Sequence, residues 1–134
     1  MGYLLDTNII TALLKGDVRV SKRLRELESQ EIFISAISYY EIKRGLLAIR
    51  ATRQLIEFER FLTKVTVLSL DTREIFDRAS EIYAELRVQG RLIQDADILI
   101  AATAIDRGLA VVSNDSDLLR VRGLMVENWL EEKL

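Results

Sequence analysis

A chain of 134 residues, 49% hydrophobic and 30% charged, is long enough for one sizeable core and too short for two. It contains no Cys, His or Pro. Disulfides, thiolate nucleophiles, zinc fingers, iron–sulfur ligation, imidazole bases and serine-type triads are thereby excluded, so catalysis must run on carboxylates, hydroxyls, amines or a bound metal. With 19 Lys+Arg against 21 Asp+Glu the net charge is −2, and no overall basic field marks a nucleic-acid partner.

Taken in chain order, the run Tyr3 to Leu5 is strand-sized and is followed by helical spacing over Ile9 to Leu14 and Val18 to Leu27. Ile32 to Ile34 is the second such run, and helical segments follow it over Ser38 to Ile49 and Thr52 to Leu62. Val65 to Leu68 precedes helical patterns over Thr72 to Val88 and Ala96 to Asp106. Leu109 to Val112 and Leu124 to Val126 are the last two strand candidates. Gly16, Gly90 and Gly108 stand where helices should stop. The stripe Leu55, Phe58, Phe61, Leu62 has helical spacing and suits either core packing or a surface for a partner helix.

No linker, repeat or low-complexity segment interrupts this order, which predicts one domain over residues 1–134. Short apolar strands alternating with amphipathic helices, without tight hairpin signals, predict an α/β fold with a parallel sheet covered on both faces. The longest apolar stretch, Ile98 to Ala102 continuing past Thr103 to Ile105, is too short to span a bilayer. The Met1 to Leu5 start lacks the features of a leader or a lipidation signal. The expectation is a soluble, cytoplasmic protein.

In open parallel sheets, ligands sit beyond the carboxyl ends of the strands. The first candidate strand is followed by Asp6-Thr7-Asn8, the second by Ser35 to Glu41, and the fourth by Ser113-Asn114-Asp115-Ser116-Asp117. A further cluster, Gln94-Asp95-Ala96-Asp97, opens a helix. Each has a plain structural use: Asp6, Asp95 and Asp97 suit helix starts, and Ser38 with Glu41 has capping-box spacing. Asp71-Thr72, with Glu74 three residues on, is read as an ordinary cap. What distinguishes Asp6, Glu41, Asp97 and Asp115 is that they come from separate elements whose ends can meet at one rim. Converging carboxylates repel and raise each other's pKa, so such a site is normally neutralised by a cation. An all-oxygen donor set suits Mg²⁺ or Mn²⁺, ions that act on phosphates by neutralising charge, activating water and stabilising the leaving oxygen.

These residues resemble the PIN-domain ribonucleases, and within them the VapC-like toxins of prokaryotic toxin–antitoxin pairs. The likeness covers nearly the whole chain: Leu4-Leu5-Asp6-Thr7-Asn8, the Ile34-Ser35 exit leading to Glu41 and Gly45, Asp97 with Ile100-Ala101-Ala102, and Gly108 through Asp115. The resemblance implies an α/β/α sandwich and an acidic metal site of Asp6, Glu41, Asp97 and Asp115, supported by Thr7, Asn8 and Ser113. It also implies Mg²⁺ or Mn²⁺ dependence, endonucleolytic cleavage of RNA, a homodimer and a small antitoxin partner. Ser113 stands where the family usually has Thr, and Asp117-Leu118-Leu119 replaces its usual acid-Phe ending, leaving the role of Asp117 open. Asp95 does not share a helix face with Asp97 and is expected to be a cap. Arg44, one turn from Glu41, and Arg91, shortly before Asp95, are candidate RNA contacts; Lys43, Arg50 and Arg53 read as solvated surface.

Three other readings are distinguishable. A non-catalytic module of the same fold would bind RNA or a protein with its acids serving as caps. A signalling receiver domain needs a cationic residue after its last strand, where Glu127 and Asn128 stand, and a haloacid-dehalogenase-like phosphatase needs an acid where Asn8 stands.

Overall fold

The computed structural model describes residues 2–28 and 31–131. Five strands, β1 (Tyr3–Leu5), β2 (Ile32–Ser35), β3 (Thr66–Leu68), β4 (Ala110–Val112) and β5 (Val126–Glu127), form one sheet in the order β3-β2-β1-β4-β5. Every pairing is parallel. Six helices connect them: α1 (Thr7–Leu14), α2 (Val18–Arg25), α3 (Ala36–Ala48), α4 (Thr52–Leu62), α5 (Arg73–Val88) and α6 (Asp95–Arg107); a 3₁₀ helix over Ser116–Arg120 precedes β5.

The strands are apolar on both sides because both faces are covered. Successive side chains alternate: Leu4 and Val111 enter the core beneath α5 and α6, whereas Leu5, Ile34 and Val112 enter the core shared with α1 to α4. That alternation divides the core into two layers and produces the α/β/α sandwich. Phe58 and Phe61 are buried in the second layer, with Leu55 and Leu62 packed against it. The α4 stripe is therefore core.

Local chemistry sets the boundaries. Gly108 ends α6 in the left-handed conformation (φ 67°), which turns the chain into β4 without a side-chain penalty. α1 begins at Thr7, two residues earlier than its apolar spacing predicts, because Asp6 caps it. Ser35 likewise starts α3 early: its Oγ accepts from the Ile37 N–H at 3.1 Å, so the capping box expected of Ser38 and Glu41 does not form. The cap expected of Asp71 falls instead at Thr72, without a side-chain hydrogen bond, and that expected of Asp95 falls at Gln94. Asp95 occupies the first helical position. The last strand is also displaced, from the expected Leu124 to Val126 to Val126–Glu127.

The strand order determines where a ligand can sit. The chain leaves β1 for β2 on one side and returns to β4 on the other, so the end of β1 is the point at which the order reverses. Asp6 follows β1 directly.

Candidate active site

Asp6 is buried, 4% exposed, and held on every side. Its backbone N–H donates to Val112 O at 2.9 Å, extending the β1–β4 pairing by one residue. Its Oδ1 accepts from the Thr7 N–H at 2.8 Å, and its Oδ2 accepts from Ser113 Oγ at 2.7 Å and from Asn8 Nδ2 at 3.4 Å. Burial raises the Asp6 pKa above the usual carboxylate range; the Ser113 and Thr7 hydrogen bonds oppose this, and the charges of Asp115 and Glu41 add to it.

Ser113 joins three partners. Besides donating to Asp6, its Oγ accepts from Asn8 Nδ2 at 3.2 Å and from the Asp115 N–H at 3.0 Å. Asn8 completes a bridge between the loops after β1 and β4 because its Oδ1 accepts from the Asn114 N–H at 3.0 Å. The frame extends to the end of the sheet: Asn128 Nδ2 donates to Asn114 Oδ1 at 2.9 Å, and Asn128 Oδ1 accepts from the Leu130 N–H at 2.9 Å.

Thr7 turns the other way. Its Oγ1 donates to Glu41 Oε1 at 2.9 Å and lies 3.2 Å from the buried Ser38 Oγ. Glu41, half-buried on α3, is therefore oriented from α1 across 34 positions of sequence.

Asp97 enters from the first turn of α6, half-buried. Its pKa is pushed up to about 6, first by burial and then by the charges of Asp6, Asp115, Asp117 and Glu41. Four other carboxylates thus act on Asp97 at the carboxyl edge of the sheet. One oxygen each from Asp97, Asp115 and Asp117 lies within 4.8 Å of the other two. Two oxygens sharing one octahedral ion stand about 3 to 4 Å apart, so these three acids form a candidate set for one divalent cation.

Asp6, Glu41, Asp97 and Asp115 accordingly lie at one rim, with Thr7, Asn8 and Ser113 bonded among them. Asp117 joins them, although its role was open from sequence. The 3₁₀ helix explains this: Asp115 caps it, its Oδ1 accepting from the Asp117 N–H at 2.9 Å, which holds both acids at one helix start. The close spacing of acids in Ser113-Asn114-Asp115-Ser116-Asp117 was the available signal. Asn114 and Asn128 carried none, because their partners are set only by the pairing of β4 with β5. Asp95 is exposed and outside the cluster.

The two candidate RNA contacts are not bonded to the acids in any described interaction. Arg44 is exposed, its guanidinium 5.0 Å from the Tyr40 ring centroid, and Arg91 is exposed on the α5–α6 loop. Lys43 is paired with Glu59 at 3.0 Å. Other cations, with Glu57 among them, line a groove elsewhere. A groove of about 1080 Å³ between α1–α2 and α4 has a floor containing Leu13, Leu24 and Phe61 and a rim including Lys15, Arg25, Arg53 and Lys64.

Residues 3–124 match the PIN domain family. The chain is 33% identical over 131 residues to ribonuclease VapC2 of Haemophilus influenzae, covering 96% of this chain and 98% of that one. It is 31% identical over 129 residues to the tRNA(fMet)-specific endonuclease VapC of Shigella flexneri, covering 95% and 97%. A crystal structure of VapBC2 from Rickettsia felis bound to a promoter DNA fragment superposes with a TM-score of 0.88 at 26% identity, covering 96% of this chain and 99% of that one. Among the described residues, no helix is long and apolar enough to cross a membrane.

Proposed function

The chain belongs to the PIN domain family, and from that premise we propose that it is a metal-dependent endoribonuclease and the toxin of a toxin–antitoxin pair. The observation that carries the reading is the convergence of Asp6, Glu41, Asp97, Asp115 and Asp117 at the point where the strand order reverses. Unneutralised, that arrangement is costly; with a cation it is a site for a phosphodiester.

Asp97, Asp115 and Asp117 would hold Mg²⁺ or Mn²⁺, with Asp6 and Glu41 beside them. Bound there, the ion supplies Lewis-acid stabilisation of charge on the scissile phosphate. The protein's own part is to aim the acids. Ser113, Asn8 and the Thr7 N–H hold the Asp6 carboxylate by three donors. Thr7 Oγ1 fixes one oxygen of Glu41 and leaves its other oxygen to accept a proton from water approaching the phosphate. Arg44 and Arg91 are the flanking cations proposed to meet the RNA backbone.

The apolar floor and cationic rim of the α1–α2–α4 groove suit an acidic amphipathic segment, the chemistry proposed for the antitoxin contact. Exposed apolar pairs at seven-residue spacing, Tyr40 with Leu47 on α3 and Phe76 with Tyr83 on α5, suit a second copy of the chain. We take residues 1–134 as one domain and the cytoplasm as its compartment.

The test uses metal-stripped protein and a total cellular RNA pool, with and without Mg²⁺ or Mn²⁺, beside an Asp97→Asn control. New RNA ends are mapped by sequencing. Discrete ends that require metal and vanish in the variant are expected. Equal cutting by the variant, or none by the wild type, would overturn the reading in favour of a non-catalytic module binding RNA or a protein.

A further inference from the structure

The three acids whose oxygens lie together, Asp97, Asp115 and Asp117, stand on two elements. Asp97 is on the first turn of α6, whose approach is the loop Arg91 to Gln94, while Asp115 and Asp117 are on the 3₁₀ helix after β4. For the three oxygens to serve one ion, loop and 3₁₀ helix must keep a fixed separation. The side chain that spans them is Arg120. Its Nη1 donates to Leu92 O at 3.2 Å, across 28 positions of sequence, and its Nη2 stands 3.2 Å from Asp117 Oδ1.

We infer that Arg120 is a positioning residue for the metal centre, clamping the α5–α6 loop to the 3₁₀ helix and orienting Asp117 for the ion. The inference rests on the metal-dependent reading above. The guanidinium suits this task because it is planar and presents several donors at fixed angles, so satisfying Leu92 O limits where Asp117 can lie. A lysine at position 120 would keep the charge and offer no such fork.

Charge and geometry make opposite demands, which allows them to be separated. A cation beside Asp117 competes with a metal, so if charge dominated, removing it would tighten metal binding. At a partly exposed site that repulsion is screened, and orientation should dominate. Partners that orient metal ligands typically matter by about 10- to 100-fold in affinity.

The experiment is calorimetric titration of Mn²⁺ into the full metal-free chain as wild type, Arg120→Ala, Arg120→Lys, Asp117→Asn and the Arg120→Ala/Asp117→Asn double variant, with a thermal melt of each. Both Arg120 variants are expected to weaken Mn²⁺ binding about tenfold with little change in melting temperature. Within the Asp117→Asn background the Arg120→Ala effect should shrink, because that carboxylate is one of the clamp's two anchors. Unchanged or tighter binding by Arg120→Ala, or wild-type affinity in Arg120→Lys, would overturn the inference while leaving the metal centre intact. Absence of Mn²⁺ binding by the wild type itself would overturn the metal-dependent reading and this inference with it.

Discussion

Ser113 Oγ stands 2.7 Å from Asp6 Oδ2, a hydrogen bond across 107 positions of sequence that joins the exits of β1 and β4. It places a donor against a carboxylate whose pKa burial raises. Ser113→Ala should cost about 1–3 kcal/mol of stability, and should raise the Asp6 pKa further. The deficit should therefore be larger at the higher of two pH values that bracket the Asp6 titration. Denaturant unfolding at the two pH values measures it. Ser113→Thr keeps the hydroxyl and should retain most of the lost stability.

Asp97 predicts a pH dependence of stability in metal-free protein. Its folded pKa of about 6 lies above its ordinary value of 3.8. Between those values the native state retains a proton that the unfolded chain has lost, so stability falls as pH rises toward 6 and then levels off. Asp97→Asn removes this contribution and should exceed the wild type at pH 8 by about 1 kcal/mol, allowing for solvent screening. Melts in a chelator at pH 4.5 and pH 8 check it: the gap should be clearly larger at the higher pH. A gap equal at both values would refute the assignment.

Thr7 predicts a separation of activity from stability. Its hydroxyl orients Glu41 at 2.9 Å in a partly buried setting. Thr7→Val should lose about 10- to 100-fold in RNA cleavage at a stability cost of about 1 kcal/mol. Thr7→Ser should restore most of the cleavage. Matched cleavage and unfolding assays on the two variants decide this, and an activity loss explained by unfolding alone would count against it.

Phe58 tests the packing of α4. It is fully buried, with the Phe61 ring centroid 6.4 Å away and the Tyr39 centroid 5.8 Å away. Phe58→Ala should cost about 3–5 kcal/mol. Its exposed neighbour Glu59, which forms a surface ion pair with Lys43, should cost under about 1 kcal/mol as Glu59→Ala. Chemical denaturation of both variants gives the comparison.

The fold class was legible because the strands are buried on both faces and therefore read as short apolar runs, while each helix buries a single stripe. The strand exits followed from the same pattern, and with them Asp6, Thr7, Asn8, Ser113 and Asp115 as residues near a rim. Capping was legible only in part. Ser38 and Glu41 have the spacing of a capping box, but Ser35, three residues earlier at the end of β2, starts the helix first. That leaves Glu41 free for Thr7.

Composition by itself determined that any metal site here is built from oxygen donors, since a chain without His or Cys holds no other common ligand set. Hydrophobic spacing determined the alternation of strand and helix, because burial leaves a local, periodic imprint. The strand order, the bridge from Asn8 to Asn114 and Asn128, the entry of Asp117 into the acidic cluster and the span of Arg120 to Leu92 were decided only by the tertiary structure. Those contacts join positions far apart in sequence or depend on the turn of a 3₁₀ helix. A polar side chain carries no local pattern that names a partner which only the closed sheet brings within reach.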